Sequence, residues 1–589
     1  MKGCEQFPAH EVVACDFDGT IACQDTCDMV LEAFASGDWR RVGQDYEEGK
    51  ISHREMNRRF VQMLKVTPAE LASFIKNNVR VREGFYDFIS SCRKRGLMPL
   101  IISGGWDFNI KTILSDLKVV FPKSTDELCS MDEDCLPAIC NHLEYDGDSA
   151  SWKITFPFTD GKTATPDKEA VVNLLRCSGV KNIIVVGDGL SDRDMAESAD
   201  IVFSRDMLTG YCRNHGIEST EYDQFNDIAK IIEEMKAGVV RVLSLPSYHP
   251  YMTRFDDGRN VVFANPGSNT FSEPDKCTPD YFENQVPSDK YDVVHIHFEY
   301  HLIEADRLEK LLEYFKRKNK PIVWTCHDRR SLTGESPDGR HEQLLNKYAD
   351  RITTLTEGSS RWLKVNFGNP DDKIKVMPLG YMAHPAVVRG ILRETVKERH
   401  LFTMLIGDFR KSKEFVRSIE DFLACKGISP DARLQVIYRP PDPNAAEPAV
   451  REKLTRFQEL IKKPGIVPCC RDKFSDVEMT RLFASSHAIV LPYLWGTHSG
   501  QLELARDCGC HVIVPDVGYY GEQWDSIRTW PSSGEWDEEQ SDNYKNALSE
   551  VDGLSPLNPA GYSRIEQFRR EIMHPHVELY KNLLSEKRR

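Results

Sequence analysis

The chain has 589 residues, room for about four lobes at roughly 150 residues each. Its 76 Lys+Arg against 91 Asp+Glu leave a net charge of −15, which excludes a general nucleic-acid binder, because such a protein needs a basic footprint to neutralise phosphates. Hydrophobic residues at 40% and charged residues at 28% fit a soluble globular protein; no apolar run approaches the ~20 residues that span a bilayer, and the start of the chain lacks the apolar core of a secretory signal.

Short β-branched runs alternate with amphipathic helical stretches, the α/β pattern of parallel sheets covered by helices. The first strands are predicted at Val12–Cys15, Pro99–Ile102, Ile183–Val186 and Asp200–Phe203. Between the first two, Met29, Val30, Leu31 and Phe34, and later Met56, Phe60, Met63 and Leu64, recur at helical spacing. Thr67-Pro68-Ala69-Glu70 reads as an N-cap, a first-turn proline and a first-turn acid. Residues 24–83 are thus a helical insertion. Residues 140–162, with Tyr145-Asp146-Gly147-Asp148 between apolar runs, predict a β-hairpin. After a helix over Asp227–Lys236 the pattern restarts, which puts a domain boundary at 238/239. Strands at Arg241–Leu245, Val261–Ala264, Asp292–Ile296, Ile322–Thr325, Ile352–Leu355 and Lys375–Met377 make one lobe over 241–395. Strands at Phe402–Ile406, Leu434–Tyr438, Ala488–Leu491 and His511–Val514 make a second over 396–560. A helix over 384–398 is expected between the lobes, and a terminal helix over Ser563–Leu584. The seventeen cysteines are irregularly spaced, with no Cys-x-x-Cys pair. Free thiols in a reducing cytoplasm are expected, not a disulfide or zinc framework.

The strongest chemical signal follows the first strand. Asp16 and Asp18, two apart on extended chain, point the same way at a strand's carboxyl end, where open α/β sheets bind ligands. Two acids there repel unless a cation or proton intervenes. A second strand ends in Ser103-Gly104-Gly105, and a third in Gly187-Asp188-Gly189-Leu190-Ser191-Asp192; Lys168 opens the helix before the third. Carboxylates with a phosphate oxygen suit Mg²⁺, while lysine, serine and glycine-lined N–H groups suit a phosphate. An isolated Asp-x-Asp or Gly-Asp-Gly is an ordinary turn, but four such elements in this order, each at a strand or helix end, are not.

This constellation resembles the haloacid dehalogenase-like phosphatases, of the phosphoserine phosphatase and methionine-salvage phosphatase type, over about residues 10–235. The resemblance implies a Rossmannoid domain over 1–238 with residues 24–83 as its helical cap. It also implies Asp16 as nucleophile, Asp18 as general acid and base, Ser103, Gly104 and Lys168 as phosphate ligands, and Mg²⁺ on Asp16, the Asp18 carbonyl and Asp188, with Asp192 in support. Asp25 could touch substrate from the cap or be a solvated turn; Lys168 is preferred over the nearby Lys162.

In the second half, His249, His295, His297 and His327 gather at strand ends, with His295 and His297 on one face. A zinc site is not expected, because no third ligand is evident. Gly407 ends a strand and is followed by Arg410 and Lys413, two cations that suit a pyrophosphate. Thr497-His498-Ser499-Gly500-Gln501 opens a helix whose free N–H groups suit phosphates. Together with the tandem sheets, these segments resemble the GT-B retaining glycosyltransferases of group 1 (family 4), over about residues 241–585. That resemblance implies a sugar-nucleotide donor (UDP-, GDP- or ADP-sugar) held by Arg410, Lys413, Ser499, Gly500 and Glu503. It implies His327, and also His297, facing the sugar, an acceptor in the first lobe, and a terminal helix that returns to that lobe. The family often has two glutamates at the donor site; Glu503 is present, but Trp495 stands eight residues before it. No metal is expected in this half. The expectation is therefore a bifunctional cytoplasmic enzyme, compatible with a homodimer, that glycosylates a phosphorylated small acceptor and then removes the phosphate. Dephosphorylation first, or a non-catalytic second half, are its alternatives.

Overall fold

Val12, Val13 and Ala14 are fully buried, Val13 in one hydrophobic cluster and its two neighbours in another. A strand covered on both faces must be apolar throughout, and this one is. It forms β1 (Glu11–Cys15) in a computed structural model that describes residues 11–132, 134–158, 165–236, 239–258, 260–327, 339–441, 448–532, 534–561 and 563–587. The chain divides into two compact units, Met1–Gly238 and Val239–Arg589.

In the first unit β1 is joined by β2 (Leu97–Trp106), β3 (Val119–Val120), β4 (Leu136–Asp146), β5 (Ser151–Thr155), β6 (Asn182–Gly187), β7 (Ile201–Ser204) and β8 (Thr220–Glu221). The order is β3-β4-β2-β1-β6-β7-β8, all parallel, with β5 antiparallel on β4. Strand order reverses at β1, which opens a crevice at its carboxyl end. The cap inserted between β1 and β2 has four helices, Thr26–Phe34, Trp39–Glu47, His53–Met63 and Pro68–Asn78. Val30, Leu31, Phe60, Leu71 and Ile75 form its core, and Trp106 and Trp152 from the sheet and hairpin enter it. Trp106 Nε1 donates to Asn57 Oδ1 at 3.3 Å and Trp152 Nε1 to the Val66 carbonyl at 2.9 Å. The β4–β5 hairpin therefore braces the cap.

The second unit holds two six-stranded parallel sheets. β9 (Val240–Leu245), β10 (Val261–Phe263), β11 (Val293–Ile296), β12 (Ile322–Cys326), β13 (Arg351–Thr354) and β14 (Ile374–Val376) run in the order β10-β9-β11-β12-β13-β14. β15 (Glu398–Gly407), β16 (Arg433–Tyr438), β17 (Ile466–Cys470), β18 (Ser486–Val490), β19 (His511–Asp516) and β20 (Ile527–Pro531) run in the order β17-β16-β15-β18-β19-β20. Edge strands β17 and β20 were absent from the expected set, because their outward residues are half-exposed and leave no continuous apolar run.

One expectation needs correction. The helix Pro385–Glu394 does not lie between the lobes: Val388 and Ile391 pack with Leu405 and Ile489 in the second lobe's core. That lobe accordingly begins ahead of this helix and not at 396. The terminal stretch is helical over Ser563–Phe568 and His574–Glu586, with a wider π-type turn at Arg569–Met573. Val577, Tyr580 and Leu583 cover Val240, Val242, Val293 and Val323 of the first lobe.

Candidate active sites

At the carboxyl ends of β1 and β6, Lys168 Nζ lies 2.9 Å from Asp16 Oδ1 and 2.6 Å from Asp192 Oδ1. All three side chains are buried. The Thr20 hydroxyl donates to Asp188 Oδ1 at 2.7 Å, and the Asp188 and Gly189 N–H groups donate to Asp192 Oδ2 at 3.1 and 3.2 Å. Asp18 is held from the cap, because the Thr26 N–H donates to Asp18 Oδ1 at 2.8 Å. Two glycines permit this density: a Cβ at Gly19, where φ is +76°, would lie 2.2 Å from Asp188 Oδ2, and one at Gly105 would lie 2.6 Å from Asp18 Oδ2. The β2–β4 register shifts between Ile102 and Trp106, and such irregularities re-aim side chains next to active sites. Here the shift presents Ser103, whose hydroxyl accepts the Gly105 N–H at 3.0 Å.

Asp16, Asp18, Ser103, Gly104, Lys168 and Asp188 thus come together. Asp25, read as a substrate contact or a solvated turn, is instead the N-cap of the first cap helix, its Oδ1 accepting the Asp28 N–H at 2.9 Å. Lys162 lies outside the described residues. Oxygens of Asp16, Asp188 and Asp192 lie within 4.8 Å of one another, a hard-donor set that suits Mg²⁺. The Asp18 carboxylate is not in that set, so any metal contact from Asp18 falls to its backbone carbonyl.

Charge in this cluster is under tension. Burial first, then Asp192, push Asp16 well above the usual carboxylate range. Asp188 is raised by burial, with Asp192 adding to it. Asp18 is pushed up to about 7 by burial and then by Asp25, against the Thr26 hydrogen bond. Burial opposes the charge of Lys168, but Asp16 and Asp192 outweigh it and raise its pKa. One ammonium among three crowded carboxylates leaves an uncompensated negative site.

In the second unit, Lys413 is 8% exposed and donates to the Ile406 carbonyl at 2.6 Å. It makes no ion pair among the described residues. Burial and then Arg410 bring its pKa down to about 7. Its amine sits over the Tyr493 ring, 5.3 Å from the centroid, and Tyr493 Oη lies 3.4 Å from Ser499 Oγ. Ser499 caps the helix Gly500–Asp507. Tyr493 therefore links Lys413 to the Ser499–Gly500 helix end. Arg410 is more exposed and paired with Asp408 at 3.0 Å. Glu503 points elsewhere: its Oε2 takes Arg564 Nη2 at 2.6 Å, and its Oε1 takes Gln523 Nε2 at 3.1 Å. Asp507 takes Arg564 Nε at 2.7 Å. Gln523 also bonds both the N–H and the carbonyl of Ser499. Gln523 and Arg564 were not singled out in the sequence, since only the fold brings them here.

His327 is buried among Tyr251, His297, Phe298 and, from the second lobe, His498, with ring centroids 4.9 to 5.9 Å away. Burial and then His498 lower its pKa well below the histidine norm, so the ring is neutral. Its Nε2 and both nitrogens of His297 are buried without a hydrogen-bond partner among the described residues. His295, by contrast, is fully engaged: Nδ1 lies 2.6 Å from Tyr580 Oη and Nε2 2.8 Å from Thr325 Oγ1. That leaves neither nitrogen for a metal.

A switch-point crevice lined by carboxylates, lysine and serine under a helical cap defines the first unit as a phosphohydrolase domain. Two parallel sheets with a returning terminal helix define the second as a GT-B fold. Comparison with known proteins agrees. Residues 13–197 match the haloacid dehalogenase-like hydrolase family, and residues 238–381 match Glycosyltransferase Family 4. A 2-hydroxy-3-keto-5-methylthiopentenyl-1-phosphate phosphatase of Bacillus pumilus is 28% identical over 229 residues, 38% of this chain and 92% of the relative. That of Geobacillus kaustophilus is 27% identical over 229 residues, 38% of this chain and 96% of the relative. The solved α,α-trehalose 6-phosphate synthase of Burkholderia multivorans is 12% identical with a TM-score of 0.40, covering 59% of this chain and 98% of that one. The chain carries a haloacid dehalogenase-type phosphatase domain fused to a GT-B glycosyltransferase domain. No helix among the described residues is long and apolar enough to cross a membrane.

The crowded carboxylates generate a prediction independent of turnover. Mg²⁺ at about one hundred times its dissociation constant is expected to stabilise the first unit by about 2.7 kcal/mol, seen as a rise in its melting temperature that EDTA reverses. Asp188→Asn should abolish the rise. A melting temperature indifferent to Mg²⁺ would remove the metal assignment.

Proposed function

We propose that the second unit transfers a glycosyl group from a UDP-, GDP- or ADP-sugar to a phosphorylated small-molecule acceptor, and that the first unit then hydrolyses the phosphate of the product. The observation that carries the donor half is Lys413, a buried amine that pairs with no carboxylate among the described residues and sits over Tyr493, whose hydroxyl lies 3.4 Å from the helix cap Ser499. Such a cation suits a diphosphate. Lys413, Arg410, Ser499 and Gly500 hold that diphosphate, and the neutral His327 faces the sugar. The relatives act on 2-hydroxy-3-keto-5-methylthiopentenyl-1-phosphate, which supports a small organic phosphate as substrate for the first unit. The free thiols throughout the described residues suit a cytoplasmic setting.

In the phosphatase, Ser103, the Gly104 backbone and Lys168 hold the phosphoryl group. Asp16 Oδ attacks phosphorus, and as that bond forms the ester P–O bond breaks. Asp18, raised toward neutrality, gives its proton to the leaving oxygen. Water then attacks the aspartyl-phosphate, Asp18 takes a proton from it, and the acyl oxygen of Asp16 departs. Mg²⁺ on Asp16, the Asp18 carbonyl and Asp188 would neutralise the phosphoryl oxygens.

A second reading is favoured by two observations: Trp495 stands where a family glutamate is often found, and Glu503 is committed to Arg564. There the second unit binds a nucleotide without transferring sugar.

Asp16→Asn separates the cases, because Asn is neutral and a poor nucleophile. Phosphate release should fall by more than about a thousandfold with transfer intact. The mutant should therefore accumulate a glycoside that is still phosphorylated, seen by mass spectrometry as one retained phosphate. Failure to form any glycoside unless free acceptor is supplied would place dephosphorylation first; no glycoside under either condition, with nucleotide still bound, would favour the second reading. Lys413 gives a second check. Its lowered pKa leaves the free protein's amine neutral above pH about 7, whereas a bound diphosphate favours the ammonium. At pH 8 nucleoside diphosphate binding should take up close to one proton, measured calorimetrically in buffers of different ionisation heat. Affinity should weaken as pH rises, and Lys413→Arg should lose the uptake. Binding without proton uptake at pH 8 would mean that Lys413 is not a diphosphate ligand.

A further inference from the structure

One side chain of the cap reaches the phosphate loop. His53 opens the helix His53–Met63, with Ser52 as its N-cap. Its ring lies against the turn that carries Ser103 and Gly104: a Cβ built on Gly104 would be 3.8 Å from His53 Cε1. His53 Nδ1 accepts the Thr165 N–H at 3.2 Å and lies 2.9 Å from Thr165 Oγ1. Asn141 Nδ2 in turn donates to the carbonyls of Thr165 and Gly104, at 2.9 and 2.7 Å. His53, Thr165, Asn141 and Gly104 are one hydrogen-bonded unit that ties the cap to the phosphate loop.

A ring nitrogen that accepts a backbone N–H carries no proton, so the proton of the neutral imidazole is on Nε2. Burial, then Lys168, keep the ring neutral, with a pKa lowered to about 4. Asn57 Nδ2, 3.5 Å from Nε2, cannot take that proton, being itself a donor that bonds the His53 carbonyl at 3.1 Å. The Tyr46 ring packs edge-on against the imidazole, its centroid 5.4 Å away.

We propose that His53 is a substrate-contacting residue of the phosphatase, whose Nε2–H donates to a non-bridging oxygen of the phosphomonoester held at Ser103 and Lys168. The inference rests on the phosphatase reading and adds to it a cap-borne wall of the phosphate site. A neutral donor adds a hydrogen bond there without adding charge.

The test is calorimetric titration of the full-length chain with inorganic phosphate in Mg²⁺, alongside aryl phosphate hydrolysis. His53→Ala should weaken phosphate by about ten- to a hundredfold, the loss of one hydrogen bond to a charged group, and should raise KM for the aryl phosphate. His53→Gln, which keeps a donor, should recover much of the loss, and added imidazole should restore affinity to His53→Ala. A ring that only braced the cap would show neither recovery. Equal phosphate affinity in the wild type and a folded His53→Ala variant overturns the proposal and leaves the phosphatase reading standing. A wild-type chain that neither binds phosphate nor hydrolyses an aryl phosphate overturns both. If His53→Ala does not fold, the wild-type imidazole ¹⁵N resonances decide: Nε2 should shift on phosphate addition, and no shift sinks the proposal.

Discussion

Lys168 is the contact on which the first site depends. Asp16, Asp188 and Asp192 come within a few ångströms of one another, the first and last buried and Asp188 half-buried, and like charges at that distance cannot all persist without positive charge among them. Lys168 supplies one such charge, bridging Asp16 and Asp192. It also orients Asp16, because the carboxylate oxygen it takes is thereby fixed. Asp192 acts at one remove: both its oxygens are bound, one by Lys168 and the other by the N–H groups of Asp188 and Gly189. It therefore holds the lysine and shapes the Asp188 turn. The remaining negative charge is what a divalent cation would offset.

The second unit presents the inverse problem. Lys413 is a buried cation with carbonyls and an aromatic ring around it, a setting in which an amine gives up its proton more readily. A diphosphate arriving there would meet Lys413, the Ser499–Gly500 helix end and Arg410. Beside it, Arg564 is shared by two buried carboxylates, Glu503 and Asp507. Removing Arg564 would leave two buried carboxylates without their cation, which costs far more than the pairs contribute. Arg564 belongs to the terminal helical stretch, and Tyr580 farther along it bonds His295 in the first lobe. The same segment thus fastens to both lobes through polar contacts that admit little slack.

Much of this was legible in the sequence for a plain reason. Asp16, Asp18, Ser103, Lys168, Asp188 and Asp192 lie at the ends of strongly apolar strands or at a helix start, so local periodicity alone puts them at one sheet edge. Contacts made across the fold were not legible. His53 meets Thr165 over a separation of 112 residues, and Arg564 meets Glu503 over 61; no spacing rule connects them. Asp25 could be read as a substrate contact or a solvated turn because an acid at the start of the cap suits either, and its role as N-cap to the Asp28 N–H appears only in the fold. The helix at 385–394 was misassigned between lobes because its apolar stripe is equally compatible with either sheet until the packing of Val388 and Ile391 is known.

The cap does more than cover the phosphatase site. Its first helix supplies the Thr26 N–H to Asp18, a bond that lowers the Asp18 pKa against burial and Asp25. Withdraw that helix and two things change together: the carboxylate loses its donor, and water enters to relieve its desolvation. The net pKa near 7 therefore belongs to the cap-seated arrangement, in which a group proposed both to give and to take a proton is balanced between its two forms. The third cap helix brings His53 to the phosphate loop through Thr165 and Asn141. A substrate that seats the cap would in the same movement set the acid–base group and complete the phosphate contacts. One that does not fit beneath Tyr46 and His53 would leave both unmade. Selection and chemistry would then be coupled through the position of the cap helices, with Trp106 and Trp152 anchoring them from the sheet and the hairpin.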